Sequence, residues 1–125
     1  MPRFADVEAL AVAYLNTALD ARVSTDVPAN LEQVLPLVRV VRGPGGDDGL
    51  TDTPLLDVEC FTATRADLWD LTEQTRDALH TLAGTAVNGR LVDTVTTATG
   101  PTRLDYGNPA VHRSVASYRL ALRAR

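Results

Sequence analysis

Between Leu55 and Gly84 the hydrophobic period of this chain switches from two residues to about 3.6, and that switch limits the fold more than any other feature. In "LLDVECFT" (55–62), Leu56, Val58 and Cys60 alternate with Asp57 and Glu59, the pattern of a strand with one buried and one wet face. The stretch "TRADLWDLTEQTRDALHTLAG" (64–84) follows, with Leu68, Leu71, Thr72, Thr75, Ala78, Leu79 and Leu82 on one helical face. Thr64 with Asp67 resembles a capping box, and Gly84 is the expected stop.

The rest of the chain extends this plan. From Asp6 to Leu19 the apolar positions advance by alternating steps of three and one, which predicts a first helix with Asp6 as N-cap. Pro28 breaks that pattern, and residues 22–27 have room for a short strand. "LPLVRVV" (35–41) reads as a strand, as do "VNGRLVDTVTTAT" (87–99) and "VHRSVASYRLAL" (111–122). Between those last two, Gly100, Pro101, Gly107 and Pro109 mark a loop. The expected fold is α+β: two helices on one face of a mixed or antiparallel sheet of about four to five strands, with a long β-hairpin loop. The 125 residues are expected to form a single domain spanning 1–125, long enough to bury one core.

Charge and composition exclude several classes of function. With 12 basic residues, all Arg, against 16 acidic ones, the net charge is −4, whereas chains that grip nucleic acid concentrate positive charge. No apolar run approaches the roughly 20 residues of a membrane span, and "MPRFADVEAL" lacks the apolar core of a signal peptide, so a cytosolic site of synthesis is expected. The single cysteine, Cys60, has no partner within the chain for a disulfide.

The chemical motifs fail one by one. "VVRGPGGDDGLTDTP" (40–54) is rich in glycine but runs from strand to strand and has no Lys. It also sets Asp47, Asp48 and Asp52 where they repel phosphate, so it reads as a hairpin tip and not a phosphate cradle. The same aspartates do not have EF-hand spacing, and a solvated, flexible tip is expected. Cys60 with His80 or His112 offers a thiolate and a base in principle. Yet Cys60 continues the apolar face of its strand, and His80 suits the C-terminal end of a helix, which favours structural roles. Trp69 lies beside the apolar face of the second helix, where it either caps the edge of the core or contacts a partner, the core edge being the expected role. Arg119, Arg123 and Arg125 are expected at a solvated strand end. No catalytic, cofactor-binding or metal-binding residue is assigned.

"LLDVECFTATRADLWDLTEQTRDAL", together with "GNPAVHRSVASYRLALR" (107–123), resembles the small tail terminator proteins of long-tailed bacteriophages, also called tail completion or minor tail proteins. The shared pattern is a strand with alternating acids, a Thr-Arg step into a helix ending before Gly84, and an Asn-Pro turn feeding a strand with Tyr118 and Leu120. The resemblance implies a virion component, assembled in the host cytoplasm, that forms a hexameric ring on the head-proximal end of the tail tube. Such a ring ends tube growth and offers the surface that joins the tail to the filled head. Its implied partners are further copies of itself, the tube protein and a head completion protein, with DNA passing through unbound. No catalytic constellation or cofactor comes with the resemblance, and no family motif assigns a role to the loop from Gly43 to Thr53. Another neck or connector protein, a Cys60-dependent enzyme and a small monomeric binding module are the competing readings.

Overall fold

The computed structural model describes residues 3–125. Helix α1 (Val7–Ala18) opens on Asp6, whose carboxylate accepts the Ala9 N–H at 3.1 Å. A cap of this kind contributes about 1 kcal/mol. A short strand β1 (Arg22–Ser24) and a single 3-10 turn (Leu31–Gln33) lead into the long hairpin β2 (Leu37–Asp47) and β3 (Thr51–Thr62). Helix α2 (Arg65–Thr81) follows directly, with Thr64 Oγ1 accepting the Asp67 N–H at 3.1 Å. A two-stranded hairpin, β4 (Ala86–Val87) and β5 (Arg90–Leu91), precedes the paired strands β6 (Thr94–Leu104) and β7 (His112–Arg123).

The main sheet has five strands in the order β1-β2-β3-β7-β6. Only β1 and β2 run parallel, so the sheet is mixed. Both helices lie on one face. There Val38, Val40, Leu56, Val58, Tyr118, Leu120 and Leu122 pack with Leu10 and Leu15 of α1 and Leu68, Leu71 and Leu79 of α2. Polar side chains within this layer satisfy one another: Thr72 Oγ1 and Ser114 Oγ lie 2.7 Å apart, and Thr75 Oγ1 donates to the Leu71 carbonyl at 2.7 Å. The opposite face is covered at one end alone, by a cluster of Leu31, Leu37, Phe61 and Val111 that Tyr106 joins edge-on to Phe61.

Three expectations need correction. The loop expected from Gly43 to Thr53 is largely strand, and only Asp48–Leu50 lie between β2 and β3. Its glycines serve the pairing: the register slips between Gly43 and Gly46, and a Cβ on Gly45 would stand 2.6 Å from the Thr53 carbonyl oxygen. Second, Gly100 and Pro101 do not end the strand, because β6 continues to Leu104. They fall at a register irregularity between Thr99 and Thr102, and β6 is an edge strand, where a missing N–H costs no ladder bond. Third, the β-rich stretch from Val87 to Thr99 contains a separate tight hairpin. Asn88 (φ 51°) and Gly89 (φ 76°) turn it in the left-handed region that an Asn-Gly pair tolerates.

Candidate functional site

The residues tested for catalysis stay apart from one another. Cys60 is buried at 3% exposure on the helix-facing side of β3, and its thiol donates to Thr75 Oγ1 at 3.7 Å. Burial pushes the thiol pKa up, against a smaller opposing effect of the neighbouring Thr75, Ser114 and Thr72 hydroxyls, so the nucleophilic thiolate is disfavoured. His80 is exposed in the last turn of α2, where its Nε2 lies 2.8 Å from Thr97 Oγ1 and its ring meets Tyr118 edge-on. His112 starts β7 opposite Thr62. Cys60 takes a threonine as its partner and neither histidine. Among the described residues no group of three or more His, Cys, Asp or Glu side chains is placed to hold a metal ion, and no helix is long and apolar enough to cross a membrane.

The three aspartates of the hairpin divide into two kinds. Asp47 and Asp48 stay at the exposed tip and close it. Asp47 Oδ1 accepts the Gly49 N–H at 2.9 Å, while Asp48 Oδ1 accepts those of Leu50 and Thr51 at 2.9 and 2.7 Å. The bonds from Thr51 and then Leu50 hold the Asp48 carboxyl below its ordinary pKa. Asp52 departs from the expected solvated tip: it is 2% exposed and meets Arg42 in a two-pronged ion pair of 2.7 and 2.8 Å. That pair raises the Arg42 pKa, chiefly through its hydrogen bond to Asp52. Sequence reasoning missed it, although the signal was present: the alternation that buries Leu56 also buries Pro54 and Asp52 when read back two more steps.

Three surfaces remain for contact with other molecules. One is the hairpin tip, where Leu50 is 73% exposed. The second is the helix-free face of the sheet, where Glu59 accepts from Arg39 at 2.5 Å and from Arg113 at 3.4 Å, and Asp57 accepts the Ser117 hydroxyl at 2.8 Å. The third is a groove of about 660 Å³ between α2 and β6, lined by Arg65, Trp69 and Asp70 on one side and Pro101 and Arg103 on the other. Trp69 is 59% exposed and belongs to this groove, not to the edge of the core as expected. At the expected solvated strand end Arg119, Arg123 and Arg125 are exposed, and there Arg119 reaches the Thr53 carbonyl at 3.3 Å, Arg123 meets Asp93 at 3.5 Å and Arg125 donates to the Gly89 carbonyl.

The β6 side of the sheet is an open edge, since its one neighbour is β7. On the other side β1 stops opposite Arg39, leaving the distal half of β2 uncovered by a strand. There the Arg42 N–H donates to the Glu8 carboxylate of α1 at 2.7 Å, which satisfies one donor of that edge. This distribution of side chains offers contact surfaces, and among the described residues Cys60, His80 and His112 do not converge as an acid, base and nucleophile.

A solved chain from the virion of a native gene transfer agent particle shares the fold, with a TM-score of 0.60 and 16% identity over 92% of this chain and 85% of that one. No curated protein matches the sequence. The phage tail termination protein family matches residues 3–119, nearly the whole length. The chain therefore belongs to the phage tail termination protein family, and its role is that of a structural protein of the phage tail.

Proposed function

We propose that six copies of this chain close into a ring on the head-proximal end of the tail tube, stop the tube from growing and form the surface that the head joins. The family match over residues 3–119 is the observation that carries this reading. Its partners on this view are its own copies, the tube protein and a head completion protein, and the ring is assembled in the host cytoplasm before it enters the virion. The single domain acts by assembly and without catalysis.

The geometry supports a ring in a specific way. A closed ring needs two unlike surfaces on each subunit, one to give and one to receive. The exposed hairpin tip and the groove beside the open β6 edge are unlike, and they lie toward opposite ends of the sheet. Light scattering across a range of concentrations, with negative-stain images, tests the reading in free solution, and polymerising tube protein tests it at the tube end. Ring-sized species of about six copies are expected, as are tubes that cease to lengthen once the chain is added. Tubes that grow unchanged and bear no added density at either end would rule out the terminating role.

A further inference from the structure

Resting on the ring reading, we propose that the hairpin tip of one copy, centred on Leu50, seats in the groove between α2 and β6 of the next copy. The two surfaces complement each other in polarity and charge. The tip projects one large apolar side chain, Leu50 at 73% exposure, beside the carboxylates of Asp47 and Asp48. The groove offers the largest exposed aromatic surface of the described residues, Trp69 at 59%, beside the guanidinium groups of Arg65 and Arg103. Neither arginine makes an ion pair among the described residues, although both stand in a groove that also holds Asp70. The tip is thus doubly negative and the groove is positive by one charge. An aromatic flanked by arginines is the kind of centre that carries most of the binding energy of an interface.

The fold prevents the tip from reaching its own groove. The tip closes beside Asp52, which pairs with Leu122, while the groove borders Arg103, which pairs with Ser114. Along β7 those positions are separated by roughly 26 Å at the usual rise of a strand. The contact is therefore possible only between chains, and it runs head to tail. Each subunit gives one tip and receives one, an arrangement that a closed ring of head-to-tail contacts satisfies at every subunit. The carboxylates of the tip are already aimed: their bonds to the Gly49, Leu50 and Thr51 N–H groups fix the turn before any partner arrives.

A chain carrying both Leu50→Cys and Trp69→Cys tests the contact, since both positions are exposed and Cys60 is buried. Under mild oxidation it should give a denaturation-resistant ladder that ends at the ring size, with a 50–69 link identified by peptide mass spectrometry. Separately, Trp69→Ala and Leu50→Ser should each raise the concentration needed for half-assembly at least tenfold. Ring-sized species without that link, and indifferent to both substitutions, would overturn the contact and leave the ring standing. Linked pairs with no ladder would uphold the contact but overturn the ring. A chain that stays monomeric and unlinked at every concentration would overturn both. If Trp69→Ala spares the ring and abolishes attachment to the tube, the groove receives the tube protein and the proposal fails.

Discussion

Asp52 and Arg42 form the most consequential pair of side chains outside the apolar core. The carboxylate is buried while the guanidinium remains 37% exposed, so the cost of removing one member depends on which is removed. Arg42→Ala strands a charge in the interior, and a loss of about 2 kcal/mol is expected, below the roughly 3–5 kcal/mol of a fully buried pair because water still reaches Arg42. Arg42→Ala with Asp52→Leu should recover much of that loss in urea denaturation; a double variant no more stable than the single would show that the pair does more than neutralise a buried charge. Tyr118, 1% exposed, makes a second residue-scale prediction. Burial, and next the nearby Cys60, push its pKa from 10.0 up to about 12. The unfolded chain therefore loses the phenolic proton first as pH rises. The stabilisation from keeping Tyr118 neutral is fully present below pH 10 and is lost between pH 10 and about 12. Tyr118→Phe should flatten the fall in melting temperature across that window, leaving the part due to Cys60, whose raised pKa acts in the same direction.

At the scale of elements the β2–β3 hairpin is the part whose shape depends on single glycines. Gly45 faces the Thr53 carbonyl across the bulge, where an added Cβ would sit at 2.6 Å, while Gly46 one step further has open space around it. Gly45→Ala should cost about 1–3 kcal/mol and speed hydrogen exchange at the hairpin tip, whereas Gly46→Ala should leave both nearly unchanged. Equal effects from the two would show that the bulge tolerates a side chain and that conformational entropy alone is being measured. The same elements show what the sequence makes readable. Both helices, and β7 and the apolar halves of β2 and β3, were legible from their 3.6-residue period or their strand-forming content, with Asp6 and Thr64 marking the helix starts, whereas the glycine-rich half of β2 read as loop. The second half of β6 was not: at an edge, Gly100 and Pro101 remove no ladder bond, so the residues that ordinarily end a strand do not end this one. Cys60 was legible as a core residue because it shares parity with Leu56 and Val58. Trp69 was not legible as part of a groove, because the opposite wall, Pro101 and Arg103, is supplied by a strand more than thirty positions away in sequence.

If the chain forms the proposed ring, DNA would cross it, and the question at the scale of the whole molecule is what would keep such a passage from holding it. Duplex DNA is retained by proteins that gather arginine and lysine on one surface, since each neutralised phosphate releases counterions. Here the 12 arginines are outnumbered by 16 acids, and among the described residues five of them are ion-paired: Arg39 and Arg113 to Glu59, Arg42 to Asp52, Arg76 to Glu73 and Arg123 to Asp93. Arginines already committed to carboxylates contribute little to a phosphate-binding field, and the groove arginines, Arg65 and Arg103, are assigned above to the neighbouring tip. The assembled ring is thus expected to show no measurable affinity for a random duplex in fluorescence anisotropy at about 0.15 M salt, where surface charges act over roughly 8 Å. Binding that appears at low salt and vanishes by that point would fit a weak, diffuse field. Affinity that persists there would mean that assembly concentrates arginines on one surface, and a ring with its channel lined that way would grip DNA and would not serve the proposed passage.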